Sequence, residues 1–415
     1  MGDDNGARPG PSMPSRWLLA AAVIGLAARL AFGLIYWTDQ PLTRDEQEYL
    51  SLARSLAAGH GFVYDPILMA TGAEPFGRAP GYPAFLALTG GGHAAATSVP
   101  AAVVVAQAVV GALGVAIVGL IARQLAGSRA AIAAAGLAAV YPPLVWIAGY
   151  ALSEALFWPI GLLAAWLFTR AWEQPDARTA ALACGAAIGV GVLVRPALIV
   201  CLPLAVLLLL GRRRVLTCVL VAAGACVIVA PWTIRNYHHH GRLVFVASEG
   251  GVTFWTGNHP LAVGDGDMAA NPAIKRDNLR LRAEHPGVGE EDMEPIYYRE
   301  ALRWIAAHPI AWLQLEARKV YYLVVPTGPS YSLHSTRYQL ASVLSYLPAL
   351  LLALVGARRL GRTLGRVPGL WVLAASAIIV ALVFFPQERF RIPILDPTLV
   401  ILTGAGLAAR RTSRS

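Results

Sequence analysis

Charged side chains are scarce in this sequence of 415 residues. They make up 14% of it, whereas about 25% is usual in a soluble domain. Such a small number cannot cover a soluble surface, which excludes a soluble enzyme, a disordered chain and a coiled coil. Apolar residues reach 56% and form many runs long enough to cross a bilayer. The sequence therefore predicts an all-α polytopic membrane protein.

Two residue types that often carry chemistry are also scarce. The four cysteines lie inside apolar runs, so neither a disulfide framework nor a thiolate metal site is predicted. Lysine occurs only at Lys275 and Lys319, and arginine supplies most of the net charge of +10. This charge would suggest a nucleic-acid partner in a soluble protein, but basic residues also collect in the cytoplasmic loops of membrane proteins. We therefore expect membrane lipids, and no nucleic acid, as partners.

The apolar runs predict about ten transmembrane helices. The first run is longer than the apolar core of a signal peptide and no clear cleavage site follows it, so we interpret it as an uncleaved helix. Two polar segments, 38–98 and 236–339, interrupt the series. The predicted spans lie near residues 17–37, 99–122, 130–148, 152–169, 179–194, 197–210, 215–231, 340–357, 369–385 and 392–409.

Arginine positions predict the orientation of these spans. With the N-terminus in the cytoplasm, sixteen arginines fall in cytoplasmic pieces, as is typical of membrane proteins. Both polar segments then lie outside, and both termini are cytoplasmic in an inner (plasma) membrane protein. The sixteen are Arg8, Arg16, Arg123, Arg129, Arg170, Arg178, Arg212, Arg213, Arg214, Arg358, Arg359, Arg362, Arg366, Arg410, Arg411 and Arg414.

This topology divides the chain into four parts. Residues 1–15 form a cytoplasmic tail, 16–235 a membrane module that includes the first outer loop 38–98, 236–339 an extracytoplasmic segment, and 340–415 the last helices and tail. Residues 308–326 are apolar but hold Glu316, Arg318 and Lys319 at their centre, which would be costly in mid-bilayer. We interpret them as a helix at the outer interface rather than a span.

The first outer loop begins with a helix signal. Thr43 is a good N-cap, and Glu46 three residues later completes a capping box. Apolar residues then recur with helical spacing from Tyr49, and glycines follow, so we predict an amphipathic helix over 44–58. Asp45 and Glu46 lie in its first turn, where acids suit the helix dipole. Asp45 is therefore either a catalytic acid or a dipole partner, whereas Glu46 fits a capping role.

The order of several motifs resembles the GT-C superfamily of membrane glycosyltransferases. The resemblance is strongest to the bacterial branch related to protein O-mannosyltransferases and to the lipid A aminoarabinose transferase. The motifs are Arg44-Asp45-Glu46 with Tyr49 after the first span, Arg78-x-Pro80-x-Tyr82-Pro83, Leu152-Ser153-Glu154, Val194-Arg195-Pro196, Pro231-Trp232 to Asn236, Gly250-Gly251 to Asn258, and Arg389-Phe390-Arg391-Ile392-Pro393.

The resemblance implies an inverting transfer of a sugar from a polyprenyl phosphate to an acceptor hydroxyl on the outer face. Asp45 matches the catalytic acid of the family's first outer loop and would accept the proton of the acceptor. Glu154 matches a second acidic position and could converge on the same pocket. Glu46, Tyr49, Arg78 and Tyr82 would support the loop.

The phosphate of such a donor needs cations. Arg29 lies about 12 Å below the outer end of the first span, and an intramembrane arginine is functional by default. Snorkelling, or a pair with Glu154, would be its structural alternative. Arg195 and Arg391 lie at the outer surface, and guanidinium matches phosphate oxygens bidentately. These three arginines are our candidates for the phosphate site.

Other partners are less defined by the sequence. Three consecutive histidines, His238–His240, do not converge well on a metal, and no cofactor or metal is indicated, although some relatives need a divalent ion. The acceptor could be a lipid, a glycan or a protein. A transporter or flippase of a lipid-linked saccharide would also use buried arginine and glutamate, but the two large outer segments and the lack of repeat symmetry disfavour it.

Overall fold

The computed structural model describes residues 15–70, 77–92, 97–174 and 176–409. The predicted tail 1–15, apart from Ser15, and Arg410, Arg411 and Arg414 lie outside this range. Nearly all regular structure in the described residues is helical. The first nine α-helices are α1 Ser15–Ala31, α2 Arg44–Ala57, α3 Pro66–Met69, α4 Gly81–Leu88, α5 Ala101–Val140, α6 Pro142–Trp146, α7 Glu154–Glu173, α8 Arg178–Val194 and α9 Cys201–Gly211.

Ten more helices complete the described chain. Short turns of 3₁₀ or π helix extend several of them, including the π turn Phe32–Tyr36 after α1. The helices are α10 Val215–His240, α11 Gly250–Gly257, α12 Pro272–Ala283, α13 Glu290–Ala307, α14 Pro309–Val324, α15 Pro329–Ser332, α16 Thr336–Leu360, α17 Pro368–Val383, α18 Glu388–Arg391 and α19 Leu395–Ala408.

The apolar helices confirm an all-α polytopic membrane protein. Five helical stretches, which include α1, α5, α7, α10 and α16, are long and apolar enough to cross a membrane, and four shorter apolar ones contain α8, α9, α17 and α19. α5 is broken at Gly127, whose φ of 84° is left-handed and suits glycine. Its two halves correspond to the predicted runs 99–122 and 130–148. The helices thus coincide with the predicted spans, while the number that cross the bilayer remains a prediction.

Small residues allow the helices of the core to pack closely. α5 lies against α1, α7 and α19, while α8 packs on both α7 and α10. At the contact of α16 with α19, a Cβ added to Gly356 would lie 2.3 Å from the carbonyl oxygen of Leu402, so only glycine permits this approach. Such close packing of small residues is the common way for membrane helices to associate.

The two ends of the helical bundle differ in their charged groups: arginines collect at one end, whereas acids and arginines pair at the other. Two of the arginines predicted to be cytoplasmic contact neighbouring helices: Arg214 donates a hydrogen bond to the carbonyl of Trp172, and Arg359 Nη1 donates to that of Gly406 at 3.3 Å. The other ends of the same bundle carry α2, α4 and α18, where buried acids and arginines meet. This second end is the candidate site.

The segment between α10 and α16 has a small core of its own. Val252, Trp255, Ile274, Met293 and Tyr297 are buried together within α11, α12 and α13. In α14, the charges that excluded 308–326 as a span are partly satisfied by protein, because Lys319 Nζ donates to Glu316 Oε1 at 2.7 Å and to the carbonyl of Leu382 at 2.8 Å. An interfacial position for α14 remains a prediction.

Candidate functional site

A capping box fixes the first turn of α2 and with it Asp45. Glu46 Oε2 accepts from the backbone N–H of Thr43 at 2.8 Å, and the Glu46 N–H donates to Thr43 Oγ1 at 3.4 Å. The other oxygen of Glu46 accepts from the N–H of Ala151 at 2.8 Å. The predicted capping role of Glu46 is confirmed. Glu46 also ties α2 to the chain that leads into α7, which carries Glu154.

Asp45 lies between two arginines that come from distant parts of the sequence. Its Oδ1 is 2.5 Å from Arg78 Nη2, and its Oδ2 is 2.7 Å from Arg389 Nη1. Burial alone would raise the pKa of Asp45, but the charges of Arg78 and Arg389 outweigh burial and hold this pKa well below its ordinary value. Asp45 is therefore ionised and can accept a proton but has none to give.

Arg78 is held by three carboxylates. Besides Asp45, it pairs with Glu48 at 2.7 Å and with Glu249 at 3.0 Å, and it stacks over the ring of Tyr49 at 5.1 Å. Burial opposes its charge, yet these carboxylates raise the pKa of Arg78 above its ordinary value. Its side chain is only 7% exposed. Arg78 therefore joins α2 to the segment before α11 through buried ion pairs.

Glu154 lies on the opposite side of Arg389. Its Oε1 is 2.9 Å from Arg389 Nε and 2.5 Å from Arg195 Nη1. Ser153 Oγ accepts from Arg195 Nη1 and from the hydroxyl of Tyr49, each at 3.4 Å. Arg389 thus bridges Asp45 and Glu154, the two acids that were proposed from the sequence to converge on one pocket. We call Asp45, Glu154, Arg195 and Arg389 the acid–arginine bridge.

The supporting tyrosines lie under this bridge. The rings of Tyr49 and Tyr82 meet edge to face with their centroids 4.9 Å apart. The Tyr82 hydroxyl donates to Gln107 Oε1 at 2.6 Å, and Gln107 Nε2 donates to the carbonyl of Ala148 at 3.0 Å. Both tyrosines are buried. They pack α2 and α4 onto the end of α5.

Two of the three arginines predicted to bind phosphate, Arg29 and Arg391, lie outside the acid–arginine bridge. Arg29 is fully buried in α1, where Nη1 donates to the carbonyl of Gly25 at 2.8 Å and the guanidinium lies 5.6 Å from the Trp158 ring centroid. Arg391 pairs with Asp396 at 2.9 Å. Among the described residues, no ion pair joins either arginine to Asp45 or Glu154. Arg29 likewise does not make the pair with Glu154 that was its structural alternative.

Three residues of the site were missed as candidates. Arg389 opens the last helical region together with Arg391, and the sequence favoured its neighbour. On the short helix α18 the side chains of Arg389 and Arg391 point in different directions. Their spacing in the sequence does not reveal which of them pairs with Asp45 and Glu154. Glu48 and Glu249 were also missed. The spacing of Arg44 and Glu48, four residues apart on a helix, was the available signal for Glu48, and the two indeed pair at 2.9 Å.

The other side chains that could contact a ligand are the histidines at the end of α10 and the ring of Trp255. In the described part of the chain, no group of three or more His, Cys, Asp or Glu side chains could hold a metal. His238–His240 end α10, where His240 Nδ1 is 3.8 Å from Glu291. Trp255 is buried against His259 and Tyr297 rather than open to a ligand.

Comparison with known proteins supports the fold assignment. Residues 79–234 match the family model of dolichyl-phosphate-mannose-protein mannosyltransferases. The oligosaccharyltransferase AglB from Archaeoglobus fulgidus, in complex with an inhibitory peptide and a dolichol-phosphate, is similar in structure with a TM-score of 0.57 at 18% identity. The apo form of the same enzyme gives 0.56 at 18% identity. Each alignment covers 95% of this chain and 50% of AglB, so the chain spans about half the length of AglB.

A further solved structure and the curated proteins add less. ArnT from Cupriavidus metallidurans, bound to undecaprenyl phosphate, aligns over 95% of this chain and 78% of its own at 16% identity, with a TM-score of 0.41. No curated protein matched the sequence.

The fold defines a class of protein: this chain is a multi-pass membrane protein with the GT-C fold. The resemblance to the GT-C superfamily inferred from the motifs is confirmed by this fold and by the family match over residues 79–234. Within that class, residues 79–234 are similar to the dolichyl-phosphate-mannose-protein mannosyltransferases. This stretch holds Glu154 and Arg195, whereas Asp45 and Arg389 lie outside it.

Proposed function

We propose that the chain is an inverting glycosyltransferase that moves a sugar from a polyprenyl-phosphate donor to an acceptor hydroxyl on the extracytoplasmic face. The observation that carries this proposal is the acid–arginine bridge, in which Arg389 contacts both Asp45 and Glu154. Such a transfer needs a proton acceptor and a group that binds phosphate. An ionised acid can accept the proton, and arginines that can exchange a carboxylate partner for a phosphate can bind the donor. The GT-C fold is consistent with this chemistry but does not by itself establish it.

The donor phosphate would bind at Arg195 and Arg389. These side chains are 17% and 25% exposed, so an incoming anion can reach both. They now share one carboxylate oxygen of Glu154. A phosphate offers several oxygens in the geometry that guanidinium groups bind best. The phosphate would therefore take over contacts that Glu154 and Asp45 make in the resting protein.

The same exchange would activate Asp45. While Arg78 and Arg389 both hold it, Asp45 is a weak base because its pKa is held well below its ordinary value. When Arg389 turns to the phosphate, Oδ2 loses its partner and the basicity of the carboxylate rises. Arg78 keeps Oδ1 and hence the orientation of the side chain. Donor binding would thus prepare the base before the acceptor reacts.

The transfer itself is a single displacement. The acceptor oxygen attacks the anomeric carbon from the face opposite the phosphate, and its proton passes to Asp45. The bond between the anomeric carbon and the phosphate oxygen breaks, and its electron pair leaves with the polyprenyl phosphate, which Arg195 and Arg389 stabilise. The configuration at the anomeric carbon is inverted.

The positions of charge support a site on the outer face. The bridge lies at the bundle end opposite Arg170, Arg178, Arg214 and Arg359, and arginines collect on the cytoplasmic side of membrane proteins. We propose an inner-membrane location with both termini cytoplasmic. Labelling of an Arg280→Cys variant, at a side chain that is 72% exposed, from outside intact cells tests this topology, and reaction of a Ser128→Cys variant under the same conditions would contradict it.

A deletion strain tests the function most broadly. Mass spectrometry of the lipids, glycans and proteins of the cell envelope should reveal the loss of one sugar mass from one acceptor class. Wild-type protein and the surface variant Asp292→Asn should restore it, whereas Asp45→Asn, present at the same level in the membrane, should not. Restoration by Asp45→Asn would contradict the proposal. If the chain instead transported a lipid-linked saccharide, the deletion strain should accumulate that saccharide-bearing lipid on the cytoplasmic side of the membrane.

A further inference from the structure

The aromatic ring of Phe390 lies against both arginines of the acid–arginine bridge. The Cζ atoms of Arg195 and Arg389 are 4.5 and 5.5 Å from its ring centroid. Both distances fall within the range of about 6 Å over which a cation is attracted to the face of an aromatic ring. Phe390 follows Arg389 directly on α18, whereas Arg195 comes from the end of α8. One ring thus contacts two guanidinium groups from distant parts of the chain.

Packing of the apolar core does not account for the position of this ring. Two clusters of buried apolar side chains occur in the described part of the chain, and Phe390 belongs to neither of them. The buried ring of Phe385 lies beside it, with the two centroids 5.7 Å apart. An aromatic ring carries negative charge on its face, so a place beside two cations suits Phe390 better than it would suit an aliphatic side chain.

The two arginines are held together by an anion that the proposed reaction removes from them. Oε1 of Glu154 is 2.5 Å from Arg195 Nη1 and 2.9 Å from Arg389 Nε. In the proposed donor complex a phosphate takes over these contacts. While the exchange proceeds, the guanidinium groups lose their shared carboxylate and repel each other as like charges. A contact that does not depend on Glu154 is needed to keep them in place.

The ring of Phe390 can supply that contact without competing with the donor. A guanidinium group binds anions through N–H donors that lie in its own plane, and it stacks on aromatic rings through the face of that plane. Glu154 and a phosphate therefore compete for the same donors, whereas an aromatic ring that stacks on the group leaves them available. The contacts of Phe390 can persist both in the resting protein and in the donor complex.

We propose that Phe390 is a positioning residue for the donor phosphate. Its ring keeps the guanidinium groups of Arg195 and Arg389 close together while phosphate oxygens replace their carboxylate partners. Phe390 acts through these two arginines and contacts neither the phosphate nor the reacting atoms. This proposal rests on the proposed function, and it gives a role to the aromatic residue between Arg389 and Arg391.

Fluorinated phenylalanines test the charge on this ring with almost no change of its shape. Phenylalanine that carries one, two or three fluorine atoms is incorporated at position 390 of the full-length protein. Binding of undecaprenyl phosphate to the detergent-purified protein is then measured by native mass spectrometry. Fluorine withdraws electrons from the face of the ring and weakens its attraction for cations. We expect the affinity to fall stepwise, by about tenfold in the trifluorinated protein, equivalent to about 1.4 kcal/mol.

Two controls and one substitution accompany the fluorinated series. The same series at Phe385, for which no arginine contact occurs among the described residues, is the matched control and should bind like wild type. Undecaprenol lacks the phosphate, so its binding should not change along either series. Phe390→Leu keeps an apolar side chain but loses the ring, and it should lose at least tenfold in affinity for undecaprenyl phosphate while its Tm stays near that of the wild type.

Three outcomes would overturn the proposal. Unchanged affinity for undecaprenyl phosphate along the series at Phe390 would mean that the ring only fills space. An equal fall in the affinity for undecaprenol would mean that the ring contacts the isoprenoid chain instead. An equal fall along the series at Phe385 would assign the effect to packing between the two rings. Because turnover in Asp45→Asn is measured separately, failure of this proposal is distinguishable from failure of the glycosyltransferase proposal.

Discussion

Arg389 and Arg391 lie two residues apart on α18 yet occupy opposite environments. Arg389 is 25% exposed and contacts Asp45 and Glu154, which come from two distant helices. Arg391 is 5% exposed and is enclosed by Asp396, the hydroxyl of Tyr331 at 3.1 Å and the ring of Tyr346. An accessible arginine is better placed than an enclosed one to exchange a carboxylate for a phosphate. We therefore propose that Arg389 binds the donor phosphate and that Arg391 supports the helix.

The largest expected effect concerns the enclosed pair. Asp396→Ala leaves Arg391 as a buried charge with only the more distant Glu388 at 3.8 Å, and breaking a buried pair costs about 3–5 kcal/mol. Thermal unfolding in detergent should show a strongly lowered Tm. Asp292→Ala is the control, because its pair with Arg242 is exposed and worth at most about 1 kcal/mol. Equal Tm values for the two variants would contradict the structural role of Arg391.

The second prediction exchanges each arginine for lysine. Arg389→Lys should weaken binding of polyprenyl phosphate by about 10- to 100-fold, because lysine loses the bidentate geometry and charged hydrogen bonds are worth about 1.5–3 kcal/mol. Its Tm should change little. Arg391→Lys should lower the Tm but leave the affinity of the folded protein unchanged. The reverse assignment of the two effects would show that Arg391 is the phosphate residue, as the sequence suggested.

The third prediction uses Glu388, which precedes both arginines. Burial raises the pKa of Glu388 to about 7, although Arg391 opposes this shift. Because the folded protein favours the protonated acid, this contribution to stability is present below the unfolded pKa of about 4.3 and is lost as pH rises through about 7. The wild type should lose Tm over this interval, whereas Glu388→Gln should not. A parallel fall in both proteins would remove Glu388 as the cause.

The smallest effect is expected at the capping box. Thr43→Ala removes the oxygen that accepts from the Glu46 N–H, and loss of such a cap typically costs about 1 kcal/mol. The first turn of α2 should loosen, so the Tm should fall slightly and turnover should fall with it. Thr43→Ser keeps the hydroxyl and should behave as wild type. A larger loss in the serine variant than in the alanine variant would contradict the capping role.

The N-cap of α2 and the positions of the apolar helices could be predicted from the sequence, because capping residues and hydropathy within each segment determine them. The helix predicted over 44–58 is α2, and the Thr43–Glu46 box forms as expected. The apolar helices coincide with the predicted runs, since hydropathy dictates where a chain can cross a bilayer. Asp45 and Glu154 were identified by their place in motifs, and the structure brings them to one arginine.

The partners of the arginines could not be predicted, because tertiary packing sets them. Arg29 fits beside Gly25 and Gly111 and under Trp158, where the missing side chains of two glycines leave room. Arg78 was expected to support the first outer loop, but the sequence did not show that its partners are Glu48 and Glu249. The difference between Arg389 and Arg391 depends on how one turn of helix sits between α17 and α19.

Asp45 tests the central claim most directly. Turnover of a polyprenyl-phosphate sugar should be measured for purified Asp45→Asn together with its thermal stability. Asparagine keeps the size and loses the charge, so a general base predicts a loss of about 10²–10⁴-fold, or about 3–5 kcal/mol of barrier, in a protein that still unfolds near the wild-type temperature. Near-normal turnover in well-folded Asp45→Asn would contradict the account.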